Sequence, residues 1–401
     1  MKMNILITSI MDVKKTAPNR LHHFVKHLAR NHNVTVLSTN QWWKAEQVNV
    51  NSYGKDLEDM LQNVEVKYVT ERKLSPILQE MLPIINQNQL FNDIDLSSFT
   101  VHLNYSTLIL GYIVTGKLKS IGTGSVYDLA DDLPQMVRIS PEIPSLLRAP
   151  SKLVSEIIVR KNIEIANKVT FTCDSLRNSS FVPRNKSVVI PNGVNTGLFK
   201  PYPSRHLQAK LGLNQNFVIG YVGSLREWVD LETVFAAVKP LTDSCPDIRI
   251  LIVGEEGKFK ECKDLSKEYG LSDYVVFTGT VPYTQVPGYI SCMDICLIPF
   301  KTNSVAQNAL PLKLFEYMAC EKPVISTKLR GVMEAVQNRA VYASNREELR
   351  SQIMELYNNE GLRRRLSFEG RNFVEENYSW PKICSNLEEV LLEVASTKGK
   401  E

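Results

Sequence analysis

Apolar positions along this chain follow two rhythms: short unbroken runs, and longer stretches with apolar residues three and four apart. Residues 4–9 (NILITS) form an unbroken run and read as a buried strand. A polar loop follows, then residues 18–31 with Leu21, Phe24, Val25 and Leu28 at helical spacing, then 34–38 (VTVLS) as the next strand. Strand, helix and strand in that order predict a parallel sheet with helices packed outside it. Further strands are expected at 64–69, 101–103, 124–128, 169–172 and 187–190. An apolar helix or helix pair is expected over 74–90, and a basic helix over 149–167.

The alternation is cleaner in the second half. Strands are expected at 218–222, 248–253, 275–278, 295–298 and 323–326, with helices at 231–241, 259–269, 284–292 and 312–319. Helical patterning at 346–356, 362–377 and 383–395 closes the chain. With 401 residues the chain exceeds one ordinary core, so two domains are expected. The joint falls where Asn192-Gly193 and two prolines, Pro201 and Pro203, break the pattern. This gives a first domain over 1–195 and a second over 196–380, with the segment 381–401 packing back on the first. The predicted fold class is α/β, two doubly wound Rossmann-like domains facing a central cleft. Such sheets bind ligands at the carboxyl ends of their strands.

Hydrophobic residues at 43% and charged residues at 22% are those of a soluble globular protein. No run approaches the ~18–20 apolar residues of a membrane span. The opening MKMNILITSIMDVKK turns polar too soon for a signal peptide and reads as the first strand. The seven cysteines lack paired CxxC spacing, and several sit in apolar runs, as buried free thiols in a reducing cytoplasm would. The net charge of +4 is uneven: residues 1–200 carry 23 Lys+Arg against 17 Asp+Glu, and residues 201–401 carry 24 against 26. That excess is too mild for a nucleic-acid binder, and no interleaved basic and aromatic pattern accompanies it. It suits a first domain that approaches anionic lipid or a phosphorylated acceptor, and it is also what ordinary scatter produces. The expected location is cytoplasmic, including the inner face of the membrane.

The most specific chemistry lies in 303–327 (NSVAQNALPLKLFEYMACEKPVIST). Pro311 suits a first helical turn, and Leu312, Leu314, Phe315, Met318 and Ala319 give an apolar stripe. Lys313 and Glu316 are the polar exceptions, three residues apart and so on one helix face. A helix N-terminus attracts anions, and a lysine in its first turn is unfavourable there unless an anion joins it. Glu316, one turn deeper, is placed to accept from two vicinal hydroxyls of a ribose. A surface helix with a stray ion pair would read the same way. If this domain holds a nucleoside diphosphate, Gly223 permits close backbone approach to a phosphate, and Arg226 supplies a fork-shaped donor. Gly254 and Gly257 sit in an equivalent turn.

In the first domain, 125–134 (SVYDLADDLP) holds three carboxylates within five residues at a strand end. Clustered carboxylates raise one another's pKa, as a general base requires. Asp131 is the first candidate base and Asp128 the second. The same residues would equally cap the next helix. His22 and His23 on the first helix read as surface histidines. No histidine pair with nearby acids and no Asp-x-Asp suggests a metal.

PLKLFEYMACEKPVIST resembles the donor-site signature of glycosyltransferase family 4 and its GT-B relatives. VVIPNGVNTGLFKP (188–201) resembles the interdomain signature of that group, and VIGYVGSLREWVDLETVFAAV (218–238) its second-domain opening. The resemblance covers 188–335 well, while the first half matches only in rhythm. It implies a GT-B fold and a metal-independent hexosyltransferase with no cofactor. The donor would be a nucleotide-diphosphate sugar, UDP ahead of GDP, and the acceptor a saccharide or lipid-linked saccharide in polysaccharide or glycan synthesis. The donor set it implies is Gly223, Arg226, Tyr283, Lys313, Leu314 and Glu316, with Tyr283 against the base. Two departures stand out. Asn308 occupies the position eight before Glu316 where many members carry an acid, and Ser224 follows Gly223 where many carry an arginine. The variant resembles a subgroup with a Pro-x-Lys-x-x-Glu-Tyr helix, and the departures leave retention and inversion both open. Glu321 stands where a glycine is usual after the helix; a left-handed backbone there costs a non-glycine residue ~1–2 kcal/mol.

The competing readings are a GT-B scaffold subunit with impaired catalysis, and a nucleotide-sugar epimerase or phosphorylase on the same fold. A Rossmann dehydrogenase is excluded, because no G-x-G-x-x-G follows either domain's first strand. Leu74, Ile77, Leu78, Met81, Leu82, Ile84 and Ile85 form a nearly continuous apolar helical surface, interrupted by Pro76 and Pro83, a candidate peripheral membrane contact or a core-packing surface.

Overall fold

A computed structural model describes residues 1–42, 54–85, 94–140 and 143–396. The chain divides into two compact units, Met1–Pro191 with Pro381–Glu401, and Asn192–Trp380.

Unit 1 is built on a parallel sheet in the order β3-β2-β1-β4-β5-β6-β7. Its strands are β1 (Asn4–Ser9), β2 (Asn33–Ser38), β3 (Val64–Tyr68), β4 (Val101–Tyr105), β5 (Gly124–Leu129), β6 (Lys168–Phe171) and β7 (Ser187–Val189). Helices cover both faces, so β1, β4 and β5 are buried almost throughout and read in sequence as runs rather than alternations. The chain leaves β1 towards β2 and β3, then crosses to β4 on the other side, which makes the β1/β4 boundary the switch point. Leu6, Leu37, Leu110, Val114 and Leu118 form one core cluster beneath it.

The Arg20–Leu28 helix opens on a capping box: Asn19 Oδ1 accepts from Leu21 N, and His22 Nδ1 accepts from Asn19 N. His22 Nε2 then donates to the Val13 carbonyl at 2.8 Å, which fixes a neutral tautomer. Both histidines are buried, contrary to the surface expectation. Burial pushes His22 down to about 4, with the Val13 bond opposing, and His23 down to about 3, helped by His22 and Lys26. They are core polar groups of the helix start. The Trp380–Ala395 helix returns to this unit, where Glu388 bridges His27 at 2.9 Å and His32 at 2.8 Å.

Unit 2 has a parallel sheet in the order β10-β9-β8-β11-β12-β13. Its strands are β8 (Phe217–Val222), β9 (Ile248–Val253), β10 (Val275–Phe277), β11 (Ile295–Ile298), β12 (Val324–Thr327) and β13 (Val341–Ala343). Here the switch point lies between β8 and β11. Gly220 inside β8 is required by packing, since a Cβ would lie 1.9 Å from Met293 Sδ. The Leu312–Ala319 helix packs on Glu360–Asn377, with Phe315 stacked on Tyr378 at 4.2 Å between centroids.

Among the elements that escaped the sequence pattern are the Ile109–Ser120 helix, β13 and the short helices Gly54–Met60, Asp174–Ser179, Arg205–Lys210 and Arg330–Val336. The basic helix spans Ser145–Ile165, with Pro150 inside it rather than at its start. The apolar helix spans Pro76–Ile85 with Pro83 inside it, and residues 86–90 of the expected element lie outside the described residues. All seven cysteines are free, six of them buried and Cys262 partly exposed.

Glu321 adopts φ 55°, the left-handed conformation, and closes the Leu312–Ala319 helix with Lys322 N bonded to Tyr317 O at 3.0 Å. Its ion pair to Arg371, 3.9 Å long and half-exposed, returns little. Glu321→Gly is therefore expected to stabilise unit 2 by about 1 kcal/mol, a rise of ~2–4 °C in its melting midpoint by calorimetry. An unchanged or lower midpoint would mean that the side chain contributes more than its backbone costs.

Candidate functional site

The ends of three neighbouring strands in unit 2 are shaped by glycines. After β8 the chain turns at Gly223 with φ 124°, where a Cβ would sit 2.7 Å from Lys313 Nζ. After β9, Gly254 has φ 128°, and a Cβ there would lie 2.5 Å from the Gly223 carbonyl. Gly254 N donates to Gly279 O at 2.9 Å beyond β10. Bare backbone is thus brought together at the carboxyl edge of the sheet, beside its switch point.

The Leu312–Ala319 helix starts against this edge. Pro311 is its N-cap in extended conformation (φ −71°, ψ 139°) rather than its first helical residue, and no side chain caps the end. Two tyrosines tie the helix to β8. Tyr317 Oη accepts from Val222 N at 2.7 Å, and Lys313 Nζ donates to Tyr221 Oη at 2.7 Å while lying 3.9 Å from the centre of that ring. Burial pushes Lys313 down to about 7, with Glu316 opposing. Burial likewise pushes Glu316 up to about 7, with Lys313 and a bond from Tyr283 opposing. Both side chains keep partial contact with solvent, which tempers these shifts. Tyr283 Oη donates to Glu316 Oε1 at 3.5 Å, and its ring meets Phe199 edge-on at 5.5 Å. Gly223, Lys313, Glu316 and Tyr283 are therefore one connected group.

The other expected donor residues are placed differently. Leu314 is fully buried, so only its backbone is available to a ligand. Arg226 lies on the loop beyond β8 and pairs with Glu256 Oε2 at 3.1 Å, an oxygen that Ser224 Oγ also reaches at 2.9 Å. Asn308 is buried at the end of the short Ser304–Gln307 helix. A concave pocket beyond β11, β12 and β13 is lined by Asp230, Lys301, Thr327 and Asn345, but none of Gly223, Lys313 and Glu316 lines it. The connected group, with its displaced pKa values and uncapped helix, carries the chemistry that the pocket lacks.

In unit 1 the three clustered carboxylates do three different things. Asp128, at the end of β5, is fully buried and bidentate to Arg20, with Nη2 to Oδ1 at 2.9 Å and Nε to Oδ2 at 3.0 Å. Thr170 Oγ1 donates to the same Oδ1 at 2.6 Å, and Arg20 Nη1 reaches the Pro191 carbonyl at 2.8 Å. Both oxygens are occupied, so Asp128 is a structural carboxylate rather than a base. Asp132 caps the Leu133–Ile139 helix through Gln135 N at 3.3 Å. Asp131 is exposed to solvent, more so than Asp132. The protein packed around it raises its pKa, Arg20 opposes, and Asp128 and Asp132 add to the rise; its exposure limits the effect. Arg20 gave no signal in sequence, because it lies in the first turn of an ordinary amphipathic helix, 108 positions from its partner. Among the described residues, no group of three or more His, Cys, Asp or Glu is disposed to hold a metal ion.

Residues 204–373, within unit 2, match the family described as glycosyl transferases group 1. A glycosyltransferase of Bacillus subtilis assigned to teichuronic acid biosynthesis, TuaH, is 29% identical over 211 residues. That match covers 50% of this chain but only 46% of the relative. Among solved structures, Anabaena Alr3699/HepE in complex with UDP superposes with a TM-score of 0.70 at 19% identity, covering 98% of this chain and 100% of that one. Sucrose-phosphate synthase of Thermosynechococcus elongatus gives 0.78 at 16% identity, covering 98% and 99%. These likenesses show the fold, which is GT-B.

The Arg20–Asp128 pair generates a stability test. Asp128→Asn leaves a buried guanidinium without its counter-charge, a loss of about 3–5 kcal/mol. Thermal unfolding of unit 1 should move down accordingly, and an unshifted transition would refute the structural role.

Proposed function

We propose that this protein is a glycosyltransferase of the family 4-like, GT-B kind, moving a sugar from a nucleotide-diphosphate sugar to a saccharide or lipid-linked acceptor. The observation that carries the reading is the lysine held beside an uncapped helix N-terminus with a carboxylate one turn deeper. The match of 204–373 to group 1 glycosyl transferases supports it, since that span contains all of Gly223, Tyr283, Lys313 and Glu316.

In this reading the diphosphate lies at the helix N-terminus over Gly223. Lys313 leaves Tyr221 to meet it, and Arg226 exchanges Glu256 for a phosphate oxygen. As the bond from the anomeric carbon to the diphosphate breaks, the electron pair stays on the departing oxygen, where these donors and the helix dipole stabilise it. Glu316 accepts from the two ribose hydroxyls, with Tyr283 holding one of its oxygens. No group beyond the donor and acceptor is required.

UDP is the first nucleotide to test, followed by GDP, because the HepE structure is a UDP complex. Calorimetric titration should show UDP or GDP binding that Glu316→Ala weakens by about tenfold or more, the worth of charge-assisted bonds to two hydroxyls. If neither nucleotide prefers the wild type, this helix has been misassigned. The pH dependence follows from the displaced pKa values. Lys313, lowered to about 7, loses its charge as pH rises above 7, so affinity for the diphosphate falls, by up to ~10-fold per unit. Glu316, raised to about 7, is protonated below it and then no longer accepts from both hydroxyls, so affinity falls on the acid side too. Glu316→Ala should remove the acid limb and keep the alkaline one.

For the acceptor's proton we assign Asp131, the most exposed carboxylate of its cluster. In an inverting transfer the acceptor oxygen attacks the anomeric carbon, and its proton passes to this carboxylate. Asp131→Asn should then cut turnover by ~10²–10⁴ with little change in nucleotide affinity. Near-normal turnover, with retained anomeric configuration in the product by NMR, would assign the enzyme to the retaining class.

A further inference from the structure

The Pro76–Ile85 helix of unit 1 is inside out. Gln79 and Glu80 are buried at 0% and 5% exposure, whereas Ile77, Leu78, Ile84 and Ile85 stand 52%, 48%, 57% and 73% exposed. The inward polar pair is what docks the helix. Gln79 exchanges two bonds with the Asn40 backbone, both 2.7 Å, and Glu80 Oε2 accepts from Leu110 N at 3.0 Å in the first turn of Ile109–Ser120. These bonds hold the helix to the protein, while Glu80 Oε1 finds no partner among the described residues, and the exposed aliphatic side chains point outward.

A second exposed aliphatic stripe lies in the same layer. The Ser145–Ile165 helix also packs on Ile109–Ser120, through buried Ser155, Val159 and Asn162. Its outward side shows Leu146 at 87%, Leu153 at 60%, Val154 at 54% and Ile157 at 48%, at helical spacing. Exposed Arg160 and Lys161 continue that stripe, exposed Lys117 and Lys119 end the middle helix, and exposed Arg72 and Lys73 precede the first. Of the acids on these elements, Glu80 is buried and Glu156 is paired with Lys152 at 3.0 Å, which leaves Glu71 and Glu164 exposed. No helix among the described residues is long and apolar enough to cross a membrane.

We propose that this face of unit 1 rests on an anionic bilayer, with the two aliphatic stripes in the headgroup–acyl boundary and the flanking cations at lipid phosphates. The arrangement favours a bilayer over a peptide or a single helix. The apolar residues form two separate stripes, with a helix between them that exposes Gly116, Lys117, Lys119 and Ser120, and Ile109, Tyr112 and Ile113 in part, which suits a laterally continuous, deformable partner rather than one groove-seated segment. The cations border the stripes, as the phosphates of an interface would demand. The inference is independent of the transferase reading, because its test requires no activity.

The test is flotation of the full chain with phosphatidylcholine vesicles, and with vesicles containing about 30 mol % phosphatidylglycerol. The wild type should float with the anionic vesicles and bind neutral ones at least ~10-fold less. Ile77→Glu/Ile84→Glu and Leu146→Glu/Leu153→Glu should each cut binding about tenfold, and Arg160→Glu/Lys161→Glu should cut it only on anionic vesicles. All three replace exposed side chains, so their circular-dichroism melts should match the wild type. Absence of wild-type flotation on anionic vesicles, or equal flotation by wild type and variants, would overturn the proposal. So would a concentration-dependent dimer in sedimentation that Ile77→Glu/Ile84→Glu dissolves, since that assigns the face to a second copy of the chain.

Discussion

The constraint on which unit 2 turns is the half-buried ammonium of Lys313. Its surroundings oppose a charge twice over: burial removes water, and the nearby helix N-terminus presents the positive end of its dipole. The ring of Tyr221, 3.9 Å away at its centre, and the hydroxyl of the same residue offset part of that cost. Much else at this edge follows from accommodating one side chain. Gly223 turns beside it at φ 124°, which L side chains rarely adopt, and Gly254 must lack a Cβ because the Gly223 carbonyl lies 2.5 Å from where it would stand. Tyr317 bonds the last residue of β8, so strand and helix hold their spacing. A polyanion at this position would be attracted by the ammonium and by the helix end at once, offsetting the repulsion between them.

Unit 1 handles buried polarity in the opposite manner. Arg20 and Asp128 satisfy each other bidentately, Thr170 and the Pro191 carbonyl take further bonding positions, and the pair ties the first helix to β5, β6 and the end of the unit. His22 is neutral and spends both ring nitrogens on backbone. These groups are as buried as any catalytic residue, yet nothing is left for a substrate to engage. Asp131 differs from Asp128 by three positions and by the whole of its bonding: solvent reaches it, and no partner claims both its oxygens. That contrast, rather than the acidity of the cluster, separates a candidate base from a structural carboxylate.

The legibility of the sequence tracks the same physics. Residues 4–9, 248–253 and 295–298 were readable as strands to the residue, because strands covered on both faces leave unbroken apolar runs. The Ile109–Ser120 helix left no such trace. Its sequence ILGYIVTGKLKS mixes two glycines with β-branched residues, and neither period dominates. Gly111 is there for packing, since a Cβ would meet Asn104 Nδ2 at 2.1 Å, a reason that only the fold discloses. β13 covers three residues, too few for any period to show. Lys313 and Glu316 were visible as polar exceptions inside an apolar stripe. The structural role of Asp128 was hidden, because the residue that defines it lies 108 positions away.

The Pro76–Ile85 helix shows what periodicity leaves undetermined even when it is strong. Spacing identifies that apolar residues share a face, and the usual inference is that this face turns inward, since burying it returns the most free energy. Direction is decided by a comparison: what the apolar face gains inside against what the polar face loses there. Here the polar face keeps much of its bonding: Gln79 finds both groups of the Asn40 backbone, and Glu80 Oε2 accepts at a helix N-terminus, although burial still pushes that carboxyl up to about 7. With the polar face bonded inside, the aliphatic face remains outside. Reading such a helix from sequence therefore requires knowing the partners of its polar residues, and those partners lie 30 to 39 positions away.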